Sequence, residues 1–360
     1  MAWSVVEHVT IYRHAGWYAA HPNVIRTPAG DLLALFHRSP DLGHAHHGHP
    51  LFDIRACRSD DEGATWGPAE LVTCDPLGGV IDFGTHTLRD GSIFLHASAA
   101  ELVPEGPTTP GHTAWSSRPG IPFWIRSRDD GRTWSEPVRF PRLPEGIWGH
   151  PAEHSGVSRS QLVELPGGCI LLPSKATEQP DGGQPFFGMM RTSLDNGETW
   201  EYGGRIAVDA VAHFSEPAIH RTPGGRLLVL LRCHPRQPHD TQCRLALVTS
   251  DDDGASWSPW RFTSMQGCPG HLLGLRDGRI LATVGTRWEG QRGCLARVLE
   301  PEGGDLDEAP DIQVRSDSAD SDCGYPWALE LRDGRVLVVY YYTYADGVRG
   351  IEGSILAESG

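Results

Sequence analysis

Apolar runs recur along this chain at a steady interval, and a glycine turn introduces each one. The runs are AGDLLALF from Ala29, DGSIFLHA from Asp90, GGCILLPS from Gly167, GGRLLVLL from Gly224, DGRILATV from Asp277 and DGRVLVVY from Asp333. Their turn glycines are Gly30, Gly91, Gly168, Gly225, Gly278 and Gly334, at intervals of 61, 77, 57, 53 and 56 residues. Short apolar runs bounded by turn residues predict buried strands. No long stripe of 3.6-residue period occurs, so little helix is expected. Units of this length in an all-β sequence predict a six-bladed β-propeller, with about four strands per blade. The repeat spans the chain, so residues 1–360 are expected to form one domain. The innermost strand of each blade then lines a central channel, and the starts of these strands converge at one mouth.

A second repeat interleaves with the first. It reads SDDEGATW (Ser59–Trp66), SRDDGRTW (Ser127–Trp134), SLDNGETW (Ser193–Trp200) and SDDDGASW (Ser250–Trp257), the pattern S-x-D-x-G-x-[ST]-W. The Asp carboxylate and the hydroxyls can bond backbone N–H groups across a turn, Gly supplies positive φ, and Trp packs on the sheet. This predicts a structural hairpin between the third and fourth strands of a blade. Blades 5 and 6 lack a clear copy. The alternating segment Val5–Arg13 is expected to pair with Ile351–Leu356 and close the ring, since an open ring leaves sheet edges unpaired. The Pro/Gly/Ser-rich stretch Ala97–Gly120 fills the longest interval and reads as a loop, with the channel mouth as one place it could lie.

Composition narrows the function. The net charge is −15, from 46 acidic and 31 basic residues, and Lys175 is the single lysine. An acidic chain without a basic run argues against nucleic acid or an anionic membrane as partner. No run is long and apolar enough to span a bilayer, and the first residues do not read as a secretory signal. The eight cysteines form no CxxC pair, which fits free thiols and a cytoplasmic location.

Aligning the units on their turn glycines exposes the candidate site. Nine residues before each glycine stand His21, Asp82, Arg159, Glu216, Pro269 and Tyr325. Acid, base, cation and phenol in one register at one mouth form a site signature. A wet channel mouth holding ordered water is the plainer explanation.

Six blade units with four such hairpins resemble the sialidase (neuraminidase) superfamily, in which the hairpin motif is the bacterial neuraminidase repeat, or Asp box. That resemblance implies a glycoside hydrolase with a Tyr nucleophile opening the last blade. Tyr325, in GYPWALELRDGRVLVVY, stands at that place, with Pro326 where the family has Ser. It implies a partner Glu at Glu216, in FSEPAIHRTPGGRLLVLLR, and carboxylate-binding arginines at Arg232 and, less closely, Arg287. The family's R-[IV]-P motif of the first blade is replaced by AAHPNVI, which leaves Ala20 or His21 there. The acid/base Asp would fall in DLGHAHHGHPLFD, where Asp41 and Asp53 flank four histidines.

These residues could act as follows. Glu216 would take the proton of Tyr325 as it attacks, because a free phenol of pKa near 10 is a weak nucleophile. An Asp or His, with Asp82 and His21 among the candidates, would protonate the leaving oxygen. Arg159, Arg232 and Arg287, with His86 nearby, would bind an acidic sugar. The plainer readings are a packed, hydrogen-bonded Tyr325 and a Glu216 ion-paired to a channel arginine. His44, His46, His47 and His49 suit a solvated loop first and an acid/base or substrate contact second, ahead of a metal site with Asp53, so no metal or cofactor is expected. Departure from the R-[IV]-P motif leaves a His-based uronate lyase, a rhamnosidase-like enzyme or a carbohydrate-binding propeller as alternatives. The substrate is expected to be a glycan bearing an acidic sugar.

Overall fold

The computed structural model describes residues 2–42, 49, 51–74, 79–99, 101–103, 116–118, 121–149, 159–178, 185–235 and 243–359. They are all β, without a helix, and form six four-stranded antiparallel sheets arranged as a six-bladed β-propeller. Blade 1 comprises Trp17–Arg26, Leu32–Pro40, Asp53–Ser59 and Glu70–Cys74. Blade 2 comprises Val80–Thr87, Ile93–Ala99, Pro122–Ser127 and Val138–Arg139. Blade 3 comprises Val163–Glu164, Ile170–Ala176, Phe187–Ser193 and Glu201–Ala207. Blade 4 comprises Ala212–Arg221, Leu227–Pro235, Arg244–Ser250 and Arg261–Gln266. Blade 5 comprises Gly270–Gly274, Ile280–Trp288, Gln291–Leu299 and Ile312–Arg315. Blade 6 takes Gly324–Glu330, Val336–Thr343 and Arg349–Glu358 from the end of the chain and Trp3–Tyr12 from its beginning. Most of Ala97–Gly120 lies outside the described residues; within it Glu101–Val103 and Ser116–Arg118 pair as a small ribbon.

Each inner strand ends in the same turn. The six turn glycines have φ between 81° and 103°, a region open to Gly without penalty. Each donates its N–H to the carbonyl three residues earlier, as Gly30 does to Thr27 at 2.9 Å and Gly334 to Leu331 at 3.1 Å.

The core is a set of layers between neighbouring blades. Leu33 and Leu35 of blade 1 meet Ile93 and Leu95 of blade 2. Phe94 and Trp124 of blade 2 meet Leu172 and Trp200 of blade 3. Phe36 of blade 1 meets Val339 and Tyr341 of blade 6, which seals the ring. Each such side chain contributes about 1.5–3 kcal/mol through burial. This packing explains why both faces of the middle strands are apolar and their sequences read as unbroken runs.

The four S-x-D-x-G-x-[ST]-W segments join the third and fourth strands of blades 1 to 4. In blade 2, Ser127 Oγ donates to Asp129, Gly131 N–H donates to Ser127 Oγ, and Thr133 donates both its N–H and its hydroxyl to Asp129, at 2.6–2.9 Å. The same set recurs around Asp61, Asp195 and Asp252. These hairpins share a face with the turn glycines. Asp130 accepts the N–H of Ala29 in the preceding blade at 2.9 Å. Third strands descend to this face, so the hairpins lie at the opposite end of the blades from the inner-strand starts.

Candidate active site

Regular pairing would aim alternate inner-strand side chains at the neighbouring blade. At the mouth the pairing breaks. Ladder register shifts between Ala20 and Asn23, Ile81 and Gly84, Ser215 and Ala218, and Gly324 and Trp327. The first residue inside each bulge is His21, Asp82, Glu216 or Tyr325, with φ of 52°, 52°, 45° and 53°. A left-handed non-glycine residue costs about 1–3 kcal/mol, and bulges re-aim side chains. Four such costs at one register, in four separate blades, mark a surface built to present side chains. Proline follows three of them, as Pro22, Pro217 and Pro326, which fits an interrupted ladder because proline cannot donate to one. The other two register positions precede their strands: Arg159 ahead of Val163–Glu164 and Pro269 ahead of Gly270–Gly274.

Blades 4 and 6 bring Glu216 and Tyr325 together. The phenol of Tyr325 donates a short hydrogen bond to Glu216 Oε1. Arg232 Nη1 donates to Glu216 Oε2 at 2.9 Å and to the Tyr325 hydroxyl at 3.3 Å. His21 lies flat on the Tyr325 ring, with centroids 3.9 Å apart and planes 17° apart. Arg287 covers the ring at 5.2 Å. Its own donors reach the Cys323 carbonyl at 3.1 Å and the Tyr341 hydroxyl at 2.8 Å. Tyr341 and Tyr18 each donate to the buried carboxylate of Asp322 at 2.7 Å. Arg159, 2% exposed, donates to the carbonyls of Tyr325 and Pro326 at 3.2 and 2.7 Å and so holds the blade 6 bulge from below.

The electrostatics follow from this packing. Burial alone would raise the Glu216 carboxyl, but the Arg232 charge and hydrogen bonds from Tyr325 and Arg232 outweigh it and hold the group at about 2. Burial, and then the Glu216 charge, push the Tyr325 phenol well above its ordinary range. Burial brings Arg159 down to about 10. The resting site is therefore a carboxylate hydrogen-bonded to a neutral phenol, with cations around both.

Of the other sequence candidates, Asp82 shares the register of Glu216 and Tyr325, and the rest lie elsewhere. Asp82 is half-buried at the blade 2 bulge. His86 sits further down the same strand, beside the Ser160 carbonyl at 3.3 Å, and lines a cavity of about 460 Å³ with Gln161, His271 and Trp327. Burial, then His96, keeps His86 well below the usual imidazole range. Asp53 is ion-paired to Arg55 and Arg38 within blade 1. Asp41 follows the second strand of blade 1, where its N–H meets the Gly16 carbonyl at 2.9 Å. His44, His46 and His47 lie outside the described residues; His49 is buried, and its ring accepts the N–H of Leu51 at 3.0 Å. Among the described residues no cluster of His, Cys, Asp and Glu could hold a metal ion. Tyr18, Asp322 and Tyr341 were not legible as site residues, because nothing in a strand sequence tells which channel-side hydroxyls will converge on one carboxylate.

Fold and mouth together define a sialidase-like six-bladed propeller. Residues 108–338 match the BNR repeat-like domain model, and the chain belongs to that family. It is 25% identical over 166 residues to a sialidase of Paraclostridium sordellii, a match covering 44% of this chain and 40% of that one. It is 24% identical over 202 residues to a sialidase of Clostridium perfringens, covering 52% and 50%. The matches thus span half or less of those relatives. A protein of unknown function from Dyadobacter fermentans superposes with a TM-score of 0.87 and 30% identity over 99% of both chains. A point mutant of the NanB sialidase from Streptococcus pneumoniae gives 0.68 at 13% identity, covering 96% of this chain and 70% of that one. A Penicillium chrysogenum alpha-L-arabinanase gives 0.66 at 16% identity over 98% of both. These last two likenesses concern the fold.

Proposed function

We propose that this chain is a retaining glycoside hydrolase acting on a terminal acidic sugar, with Tyr325 as nucleophile and Glu216 as its base. The observation that carries the reading is the buried Tyr325–Glu216 hydrogen bond bridged by Arg232. A carboxylate held at about 2 and a phenol held well above 10 make a free phenolate unfavourable. Proton transfer to Glu216 therefore accompanies attack: the Tyr325 oxygen bonds the anomeric carbon, the bond to the leaving oxygen breaks, and Glu216 takes the phenol proton. Asp82 supplies a proton to the leaving oxygen, then withdraws one from the water that opens the glycosyl-tyrosine, and Glu216 returns its proton to the phenol. His21 presents a ring face to Tyr325, so it supports the phenol in this scheme. Relatives named as sialidases and an arabinanase of the same fold support a glycan substrate. The departure at Ala20 and His21 from R-[IV]-P favours an acidic sugar other than sialic acid.

The test is a panel of aryl sialosides, uronides and neutral glycosides, with product configuration followed by proton NMR. We expect turnover of a uronide with retention, and a loss of about 10³-fold or more in Tyr325→Phe with an unchanged melting curve. Activity confined to neutral glycosides removes the acidic substrate. Undiminished turnover in Tyr325→Phe removes the mechanism.

A further inference from the structure

The chain has a single lysine among 31 basic residues, and its charge reaches Glu216 of the candidate nucleophile pair. Lys175 is next to last in the strand Ile170–Ala176 of blade 3 and is half-buried. Its ammonium group lies 5.5 Å from the centre of the Phe186 ring, within cation–π range. Phe186 is tied to blade 4: its N–H donates to the His213 ring at 3.1 Å, and its carbonyl accepts the N–H of Phe214 at 2.9 Å. His213 stacks on His234 at 5.1 Å, directly opposite it in the ladder that also pairs Ser215 with Arg232. Lys175, Phe186, His213 and His234 thus make one wall running from blade 3 to the Glu216–Arg232 pair. The positive charge of Lys175 reaches Glu216 and helps hold that carboxyl down.

The other cations of the mouth already have partners. Arg232 donates to Glu216 and Tyr325, Arg287 to Cys323 and Tyr341, and Arg159 to the Tyr325 and Pro326 carbonyls. Asp322 lies beside Arg349 at 3.7 Å. Glu216 accepts from both Tyr325 and Arg232. Among the described residues the Lys175 ammonium group meets only the Phe186 ring. Among the described residues Lys175, Arg159, Arg232 and Arg287 lie around Glu216 and Asp322, within a chain of net charge −15. Among the described residues no carboxylate pairs directly with the Lys175 ammonium group, and Glu216, which its charge reaches, already accepts from Tyr325 and Arg232, so a ligand anion can take that place.

We infer that Lys175 is a specificity-determining residue that binds an anionic group of the substrate, carboxylate or sulfate, on the blade 3 and blade 4 side of the mouth. Phe186 offers its ring to the apolar face of the adjoining sugar. The assignment rests on the glycan-binding mouth proposed above and differs from an arginine clamp at the anomeric carbon, because it locates the charge at the blade 3 edge. An ammonium is a point charge without the planar fork of Arg, so it suits carboxylate and sulfate alike.

A lone lysine is its own reporter. Reductive methylation with ¹³C-formaldehyde labels Lys175 and the terminal amine, and the two are told apart in a Lys175→Met sample. Methyl β-glucuronide, a methyl sialoside, a glucose 6-sulfate glycoside and methyl β-glucoside are titrated into the full chain, and affinities are measured in parallel by calorimetry on unlabelled protein. We expect at least one anionic sugar to move the Lys175 methyl signal and to bind about tenfold or more tightly than the neutral glucoside. Lys175→Met should bring the two classes level with melting unchanged, and Lys175→Arg should keep part of the preference. The three anionic probes distinguish uronate, sialate and sulfate. Equal binding of charged and neutral sugars, a silent Lys175 signal, or a preference that survives Lys175→Met overturns the inference. Binding needs no turnover: a chain that selects an anionic sugar through Lys175 yet cleaves nothing defeats the hydrolase reading and leaves this one standing.

Discussion

Arg232 carries two duties that can be separated by substitution. Its side chain is 14% exposed and that of Glu216 is 8% exposed. Breaking a buried ion pair from one side leaves an uncompensated charge, at a cost of about 3–5 kcal/mol. Arg232→Met should lose stability of that order at pH 7 in urea unfolding, and Arg232→Lys should lose less because the charge remains. The pH dependence should change with it. The folded-state pKa of Glu216 is depressed to about 2, so its contribution is fully present above the ordinary carboxyl range and disappears as pH falls toward 2. In Arg232→Met that support is withdrawn, and much of the stability difference should vanish between about pH 4 and 2. Equal stabilities of wild type and Arg232→Met at pH 7 would show that the pair contributes nothing. Residue identities at the mouth were legible because the turn glycines fix a register: His21, Asp82, Arg159, Glu216 and Tyr325 stand at one distance from them. The direction of their donors was not legible. Arg159 reads in sequence as a substrate cation, whereas its guanidinium binds two backbone carbonyls. Lys175 carries no register mark and emerges only when blade 3 is placed beside blade 4.

The hairpins tie one blade to the next as well as folding on themselves. Glu62 of the blade 1 hairpin accepts the N–H of Arg332 in the turn of blade 6 at 2.9 Å. Asn196 of the blade 3 hairpin donates to Asp90 in the turn of blade 2 at 2.8 Å. In blade 5, which has no S-x-D-x-G-x-[ST]-W copy, Glu302 does this work, accepting from Thr222 and Gly224 of blade 4 at 2.7 and 2.8 Å. The tie is therefore more general than the motif, which explains how blade 5 joins blade 4 without it. The hairpin carboxylates make acid sensitivity an element-level property. Hydrogen bonds from the Thr or Ser side chain, and next from its N–H, bring Asp129, Asp195 and Asp252 to about 2. A depressed folded-state pKa means stabilisation that is present above about 4 and lost as pH falls through about 2. We expect the melting temperature to drop steeply between those values, and less steeply in Asp129→Asn, whose starting temperature should be lower by a few degrees. Turnover of folded Asp129→Asn should match wild type, since this hairpin and the mouth lie at opposite ends of the blades. A stable but inactive Asp129→Asn would move the hairpins into the chemistry.

At the scale of the whole ring, the decisive contact joins residues far apart in sequence. Trp3–Tyr12 pairs with Arg349–Glu358 from Trp3 against Glu358 to Tyr12 against Ile351, with bulges after Val5 and Thr10. Val9 and Ile11 are buried against blade 6, and Ser359 N–H meets the Ala2 carbonyl at 2.8 Å. Without this strand, Arg349–Glu358 becomes a long unpaired edge, because barrels and propellers escape edge pairing only by closing or shortening their edges. The strand matters to the site through its neighbours. Arg349 sits beside Asp322, Asp322 accepts from Tyr341, and Tyr341 holds Arg287 over the Tyr325 ring. Alternation in Val5–Arg13 made the pairing readable in sequence, whereas this chain of contacts from blade edge to nucleophile was not, since its members lie in separate strands and meet only when the ring closes. Removing residues 2–12 should lower the melting temperature sharply, expose dye-binding apolar surface and promote association through the freed edge. Supplying Trp3–Tyr12 as a free peptide at high concentration should recover part of the loss, because it can re-form the ladder in trans at the entropic cost of association. A truncated chain that melts like the full chain and keeps the full chain's association state would show that three-stranded closure suffices.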